Sequence, residues 1–121
     1  MAQIEVKQFH KRFNEGRYSA IYKTSTKEFK AAGSFEDVAY LLGSTRDRYG
    51  KVVRSKMTSF RSKENPDVTL IVAEFETTYE RMEGWERFEF RLVKDKLLLN
   101  AYAVGPKAPT GESDKSKTKP E

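Results

Sequence analysis

The apolar residues of this chain change their spacing once, at Gly50, and that single change constrains the fold more than any other feature. Before Gly50 they recur every third or fourth residue; after it they recur every second. The first period belongs to a helix packed on one side and the second to a strand packed on one face. A helical segment followed by a stranded one, without interleaving, predicts an α+β fold with an antiparallel sheet.

Val6, Phe9, His10 and Phe13 fall at helical spacing among charged residues, predicting an amphipathic helix over residues 3–15 that Gly16 stops. Tyr18, Ile21 and Tyr22 repeat the spacing and predict a short second helix turned against the first. Phe29 is one further anchor, on a helical turn between Thr26 and Ala32. Ser34 followed by Asp37 resembles a capping box and opens a third helix. Its expected buried stripe is Phe35, Val38, Leu41, Leu42, Thr45 and Tyr49, and Gly50 closes it.

Residues 51–62, 68–80, 84–94 and 96–104 are rich in Val, Ile, Thr, Phe and Tyr and predict four strands. Asn65-Pro66-Asp67, Glu83-Gly84 and Lys94-Asp95-Lys96 suit hairpin connections. Phe88, Phe90 and Leu92 share one face of the third strand, and Arg87, Glu89 and Arg91 the other; Ile71, Ala73, Phe75 and Thr77 oppose Glu74, Glu76 and Thr78 in its neighbour. The expectation is three N-terminal helices packed on a curved four-stranded antiparallel sheet, covered on one face and solvated on the other. The single domain is expected to span residues 1–105, with a disordered polar tail over 106–121, because GPKAPTGESDKSKTKPE offers no large apolar residue to offset its ordering entropy.

Charge is unevenly placed. Residues 1–63 carry 14 Lys/Arg against 6 Asp/Glu, whereas residues 64–110 carry 6 against 9. A basic front half steers anionic partners. The absence of cysteine excludes disulfides, thiolate nucleophiles and cysteine-based metal sites. MAQIEVKQFHKRF begins an amphipathic pattern at once and holds no signal-peptide apolar core, so the chain as given is expected in the cytoplasm; it is expected outside it if Met1 and Ala2 stand where a leader was removed.

Helices followed by a bent antiparallel sheet in about 105 residues resemble the nuclear-transport-factor-2-like or cystatin-like cone. More narrowly, FNEGRYSAIYKTSTKEFK, TRDRYGKVVRSK, VAEFETTY and Tyr102 near the end of the last strand resemble the bacterial domain-of-unknown-function 4019 family, over residues 4–104. The last strand, LLLNAYAV, departs from the tryptophan-and-glycine pattern of that family. The resemblance implies a cone-like roll, a tendency to export or lipid anchoring, and sheet faces that pair with copies of themselves as homodimers.

Related cones include isomerases, dehydratases and plain binding proteins, so the fold leaves the activity open. An enzyme of this kind needs an acid/base pair aimed into an apolar pocket. The one histidine, His10, shows no carboxylate partner in the sequence and reads as structural or solvent-facing. Asp37 reads as a cap and Asp47 as a surface partner, so no catalytic residue, metal ligand or cofactor is assigned. Candidate pocket-lining residues are Tyr18, Tyr22, Phe29, Phe75, Phe90 and Tyr102, with core packing as their competing role. Candidate anion-binding residues are Arg46, Arg48, Lys51, Arg54 and Lys56, with Arg61 and Lys63 beyond them. The lack of a recognition helix or an RNP-like strand motif, and Asp47 within the row, argue against nucleic acid. Neither GxGxxG, GxxxxGK[ST] nor GxSxG occurs.

The expected function is a non-enzymatic binding or accessory module that uses the mouth of the cone or the exposed sheet face to hold a protein or a small apolar ligand. A homodimer and a weak attraction to anionic membrane surfaces are further expectations. The alternative is a small lyase or isomerase acting on an apolar substrate within the cone.

Overall fold

A computed structural model describes residues 2–107, so the predicted tail lies outside the described residues beyond Lys107. Four helices, α1 (Ala2–Asn14), α2 (Tyr18–Lys23), α3 (Lys27–Ala32) and α4 (Phe35–Tyr49), precede four strands, β1 (Val52–Glu64), β2 (Thr69–Tyr79), β3 (Glu83–Val93) and β4 (Lys96–Pro106). The strands form one antiparallel sheet in the order β1-β2-β3-β4. The fold is α+β, as the change of period predicts.

Among the described residues the helices number four rather than the expected three. The turn predicted around Phe29 is a helix of its own because Thr26 caps it: the Thr26 hydroxyl accepts from the Phe29 N–H at 3.0 Å. The Thr26 N–H is meanwhile spent on the Leu99 carbonyl at 2.9 Å, which docks this helix on β4. The capping box at Ser34 forms in both directions, Asp37 N–H to Ser34 Oγ at 3.1 Å and Ser34 N–H to Asp37 Oδ2 at 3.4 Å. At the other end of α4, the guanidinium of Arg81, from the β2–β3 turn, donates to the carbonyls of Arg46, Asp47 and Arg48. A cation on terminal carbonyls satisfies groups the helix leaves unpaired and complements its dipole.

The core joins Val6, Phe9 and Phe13 of α1, Ile21 of α2 and Leu42 and Tyr49 of α4 to Ala73, Phe75, Tyr79, Phe88, Phe90, Leu97 and Leu99 of the sheet. Phe9 lies 5.0 Å from Phe88 and 4.6 Å from Tyr102, ring centre to ring centre. Three members of the expected buried faces, Phe35, Leu41 and Leu92, are instead exposed. Length explains part of this. At 13 residues each, α1 is about 20 Å long and β1 about 43 Å, so α1 spans only part of the sheet's inner face.

A register shift between Glu89 and Phe90 leaves Asn100 unpaired in β4. It changes the parity of that strand, so that Leu97 and Leu99 point inward before it and Tyr102 and Val104 join the core after it. Asn100 holds the bulge from two sides: its amide donates to Glu89 Oε2 at 2.8 Å and its carbonyl accepts from Thr26 Oγ1 at 2.7 Å. Strand β4 also runs past the expected boundary at Val104, since Gly105 pairs with Trp85 and Pro106 with Gly84.

Gly50 turns the chain from the helical layer into the sheet at φ 92°, a conformation side chains rarely adopt. A Cβ there would stand 2.7 Å from the Glu80 Cβ. Gly50→Ala is expected to destabilise the fold by about 1–3 kcal/mol, read from the shift of the urea unfolding midpoint.

Candidate functional site

The alternation in β3 continues inward past Phe90 and Phe88 to Glu86, so a carboxylate rather than a hydrocarbon occupies the next core position. Glu86 is 1% exposed. It is held from three elements: His10 Nε2 of α1 lies 2.7 Å from Oε1, Thr77 Oγ1 of β2 donates to the same oxygen at 2.6 Å, and the Tyr102 hydroxyl of β4 donates to Oε2 at 2.6 Å. Burial by itself pushes a carboxyl up; here the hydrogen bond and charge of His10, with the Thr77 and Tyr102 donors, outweigh it and hold Glu86 below its ordinary range. Glu86 is therefore ionised and purely accepting, which places a proton on His10 Nε2.

The tyrosines beside it behave in the opposite sense. Burial first, and the charge of Glu86 second, push the phenols of Tyr79 and Tyr102 above their ordinary range. Both stay protonated at neutral pH. The Tyr79 hydroxyl is buried with no hydrogen-bond partner among the described residues, and its ring crosses Gly84, where a Cβ would come within 3.0 Å of it.

His10 links this buried group to the surface. With Lys7, Lys11, Asn14, Glu15, Val52, Val53, Arg54 and Ser55 it lines a cleft of about 650 Å³ between α1 and the start of β1. The one acid of the lining, Glu15, is engaged by Lys11 at 3.1 Å and Arg17 at 3.5 Å. Lys7 and Arg54 have no ion pair among the described residues. On the other side of α1, a second cleft of about 430 Å³ has an apolar floor that includes Ile4, Phe9, Ile21, Phe90 and Leu97.

The candidate pocket-lining residues are dispersed. Phe75 and Phe90 are core, and only Phe90 of the six reaches either cleft. Tyr18 and Phe29 pack on the core edge, while Tyr22 meets Phe29 and Phe35 and donates to the Lys30 and Gly33 carbonyls. Tyr102 sits against Glu86. Among the candidate anion-binding residues, Arg54 lines the basic cleft. Arg46 is half-buried near Gly16, Arg48 and Lys51 flank the end of α4, and Lys56 pairs in register with Glu76. Lys7, Lys11 and Glu86 were not singled out by sequence. The signal for Glu86 was its parity with Phe88 and Phe90; for Lys7 and Lys11 it was their i, i+4 spacing beside His10.

Among the described residues, no group of three His, Asp or Glu side chains is placed to hold a metal ion, and no helix is long and apolar enough to cross a membrane. No protein-family model, curated protein or solved structure matches this chain.

Because the folded Glu86 titrates below its ordinary value of 4.5, its contribution to stability is complete above that pH and is lost as pH falls through the folded value. Glu86→Gln, which leaves His10 and two hydroxyls facing an uncharged amide, is expected to lower stability at pH 7 by about 3–5 kcal/mol. The variant should also lose part of the acid-side decline. Urea unfolding of both proteins between pH 7 and pH 3 measures each effect.

Proposed function

We propose that this chain is a non-enzymatic binding module that holds an acidic partner in the basic cleft between α1 and β1. The observation that carries the reading is the pair Lys7 and Arg54, two cations that line one cleft, with no ion pair among the described residues. Asn14, Ser55 and His10 add polar groups at the same place.

The lyase or isomerase alternative ranks second for a physical reason. A general base works best with its pKa near the working pH, and the environment of Glu86 drives it the other way. Its oxygens are already occupied by three internal donors. The space between helices and sheet is filled by Phe9, Phe13, Phe75, Phe88 and Tyr102. A module with its interior filled holds partners on its outside.

The reading takes the fold as a cone-like roll of the nuclear-transport-factor-2-like or cystatin-like kind, with the bulges in β1 and β4 as the places where such a sheet would bend. The fainter likeness to the domain-of-unknown-function 4019 family carries the associated proposals of export and of a homodimer.

A fluorescein-labelled glutamate-rich peptide should bind the wild type and a matched glutamine-rich peptide should not. The double variant Lys7→Ala, Arg54→Ala should weaken that binding several-fold, up to roughly tenfold, with the difference shrinking as salt is raised. Anisotropy titration measures it. Equal binding of both peptides, or an unaffected double variant, overturns the proposal.

A further inference from the structure

Among the described residues strand β1 lies at an edge of the sheet, so one side of its backbone has no neighbouring strand there. At its first residue that side is already used in an instructive way. The Asn14 amide donates to the Val52 carbonyl at 3.0 Å, and the Val52 N–H donates back to Asn14 Oδ1 at 2.8 Å. This reciprocal pair is the pattern two residues exchange across an antiparallel ladder. A side-chain amide from α1 thus occupies the place of the first peptide group of an added strand.

Beyond Val52 the pairing with β2 runs in two regular stretches, Arg54–Met57 and Ser59–Glu64, separated by a bulge at Thr58. Among the described residues, no other segment makes backbone hydrogen bonds to the outer side of either stretch. An unpaired edge is a template for another chain, and proteins blunt such edges with bulges and like charges. The bulges at Val53 and Thr58 fit that role. The charges go further, because they are nearly all of one sign: Arg54, Lys56, Arg61 and Lys63 against Glu64 alone, with Lys7 across the cleft and Lys11 there paired to Glu15. A second copy laid on this edge would set cations against cations. A chain of opposite charge meets no such penalty.

We infer that the free edge of β1 takes up an extended acidic peptide segment as a fifth strand, entering beside Lys7 and Arg54 and running along Arg54–Glu64. This rests on the cleft being an acidic-partner site and specifies the form in which that partner binds. Val53 and Phe60, 56% and 54% exposed, supply apolar contact beside the basic residues. Phe60 pairs opposite Ala73, and so projects on the inner face that α1 leaves uncovered. A peptide suits the edge better than a nucleic acid does, because the edge presents alternating N–H and C=O groups. Phosphates can only accept, and would leave the carbonyls unanswered.

Three glutamate-rich peptides of about ten residues, spanning roughly the 33 Å of the free edge, test this. One is unmodified, one carries N-methyl groups on its odd-numbered residues and one on its even-numbered residues. Strand addition requires that one methylated peptide bind at least tenfold more weakly, while the other stays within about twofold of the unmodified peptide, since its methyl groups face away from β1. If both methylated peptides bind as well as the unmodified one, and Lys7→Ala, Arg54→Ala still weakens all three, strand addition is overturned while the acidic-partner site stands. Absence of binding by every peptide, or binding of single-stranded oligonucleotide in their place, overturns both. Sedimentation at the same concentrations completes the test: a dimer through β1, abolished by Arg61→Glu, would show that a second copy takes the edge and overturn the inference.

Discussion

The seating of α1 on the sheet is arranged around an ionised carboxylate placed where the hydrophobic pattern would put a leucine. Moving Glu86 out of water carries a penalty of several kcal/mol, and the fold meets it by bringing one donor from each of α1, β2 and β4 to its two oxygens. The donors are separated from Glu86 by 76, 9 and 16 residues, so the cluster exists only when the helix is seated and the strands are in register. Aromatic packing alone would be more permissive. Phe9 and Phe13 would still meet apolar groups if α1 slid by one turn, about 5.4 Å, but His10 would lose Glu86. The acid makes one seating of the helix much better than its neighbours, whatever net stability it adds.

How much of this was legible can be followed residue by residue. The period change at Gly50, the capping box at Ser34 and Asp37, and the alternation of β3 are local, and each appears in the structure where the sequence places it. Glu86 was within reach of the same rule, since the parity of Phe88 and Phe90 extends to it. Its charge hid it, because an acid between Trp85 and Arg87 reads as one more member of a solvated face. His10 could not be paired by inspection, because its partner is a product of the tertiary fold. The parity change at Asn100 was equally hidden: LLLNAYAV alternates in no way that marks a bulge, and the bulge depends on Thr26 and Glu89 reaching Asn100 from two other elements.

The misjudged residues share a cause. Phe35, Leu41 and Leu92 follow the apolar period of their elements but lie where no neighbour covers them. Periodicity reports which face of an element is apolar; how far the opposing layer reaches is a matter of lengths and connections. Thr26 shows the complementary error, a short polar residue whose cap turns one expected turn into a separate helix.

The two layers divide the polar chemistry of the chain between them. Inside, the donors and acceptors of His10, Thr77, Glu86 and Tyr102 answer one another, which leaves that carboxylate little capacity to act on a substrate. Outside, β1 stands at the edge of the sheet among the described residues, so unanswered backbone groups and the cations of that strand lie along one edge. A basic edge is a defence against self-pairing, and under the proposed strand addition the same charges favour an acidic chain. The positive charge of β1 is therefore bound up with its place in the sheet: like charges along an edge repel its own copies without closing the edge to others.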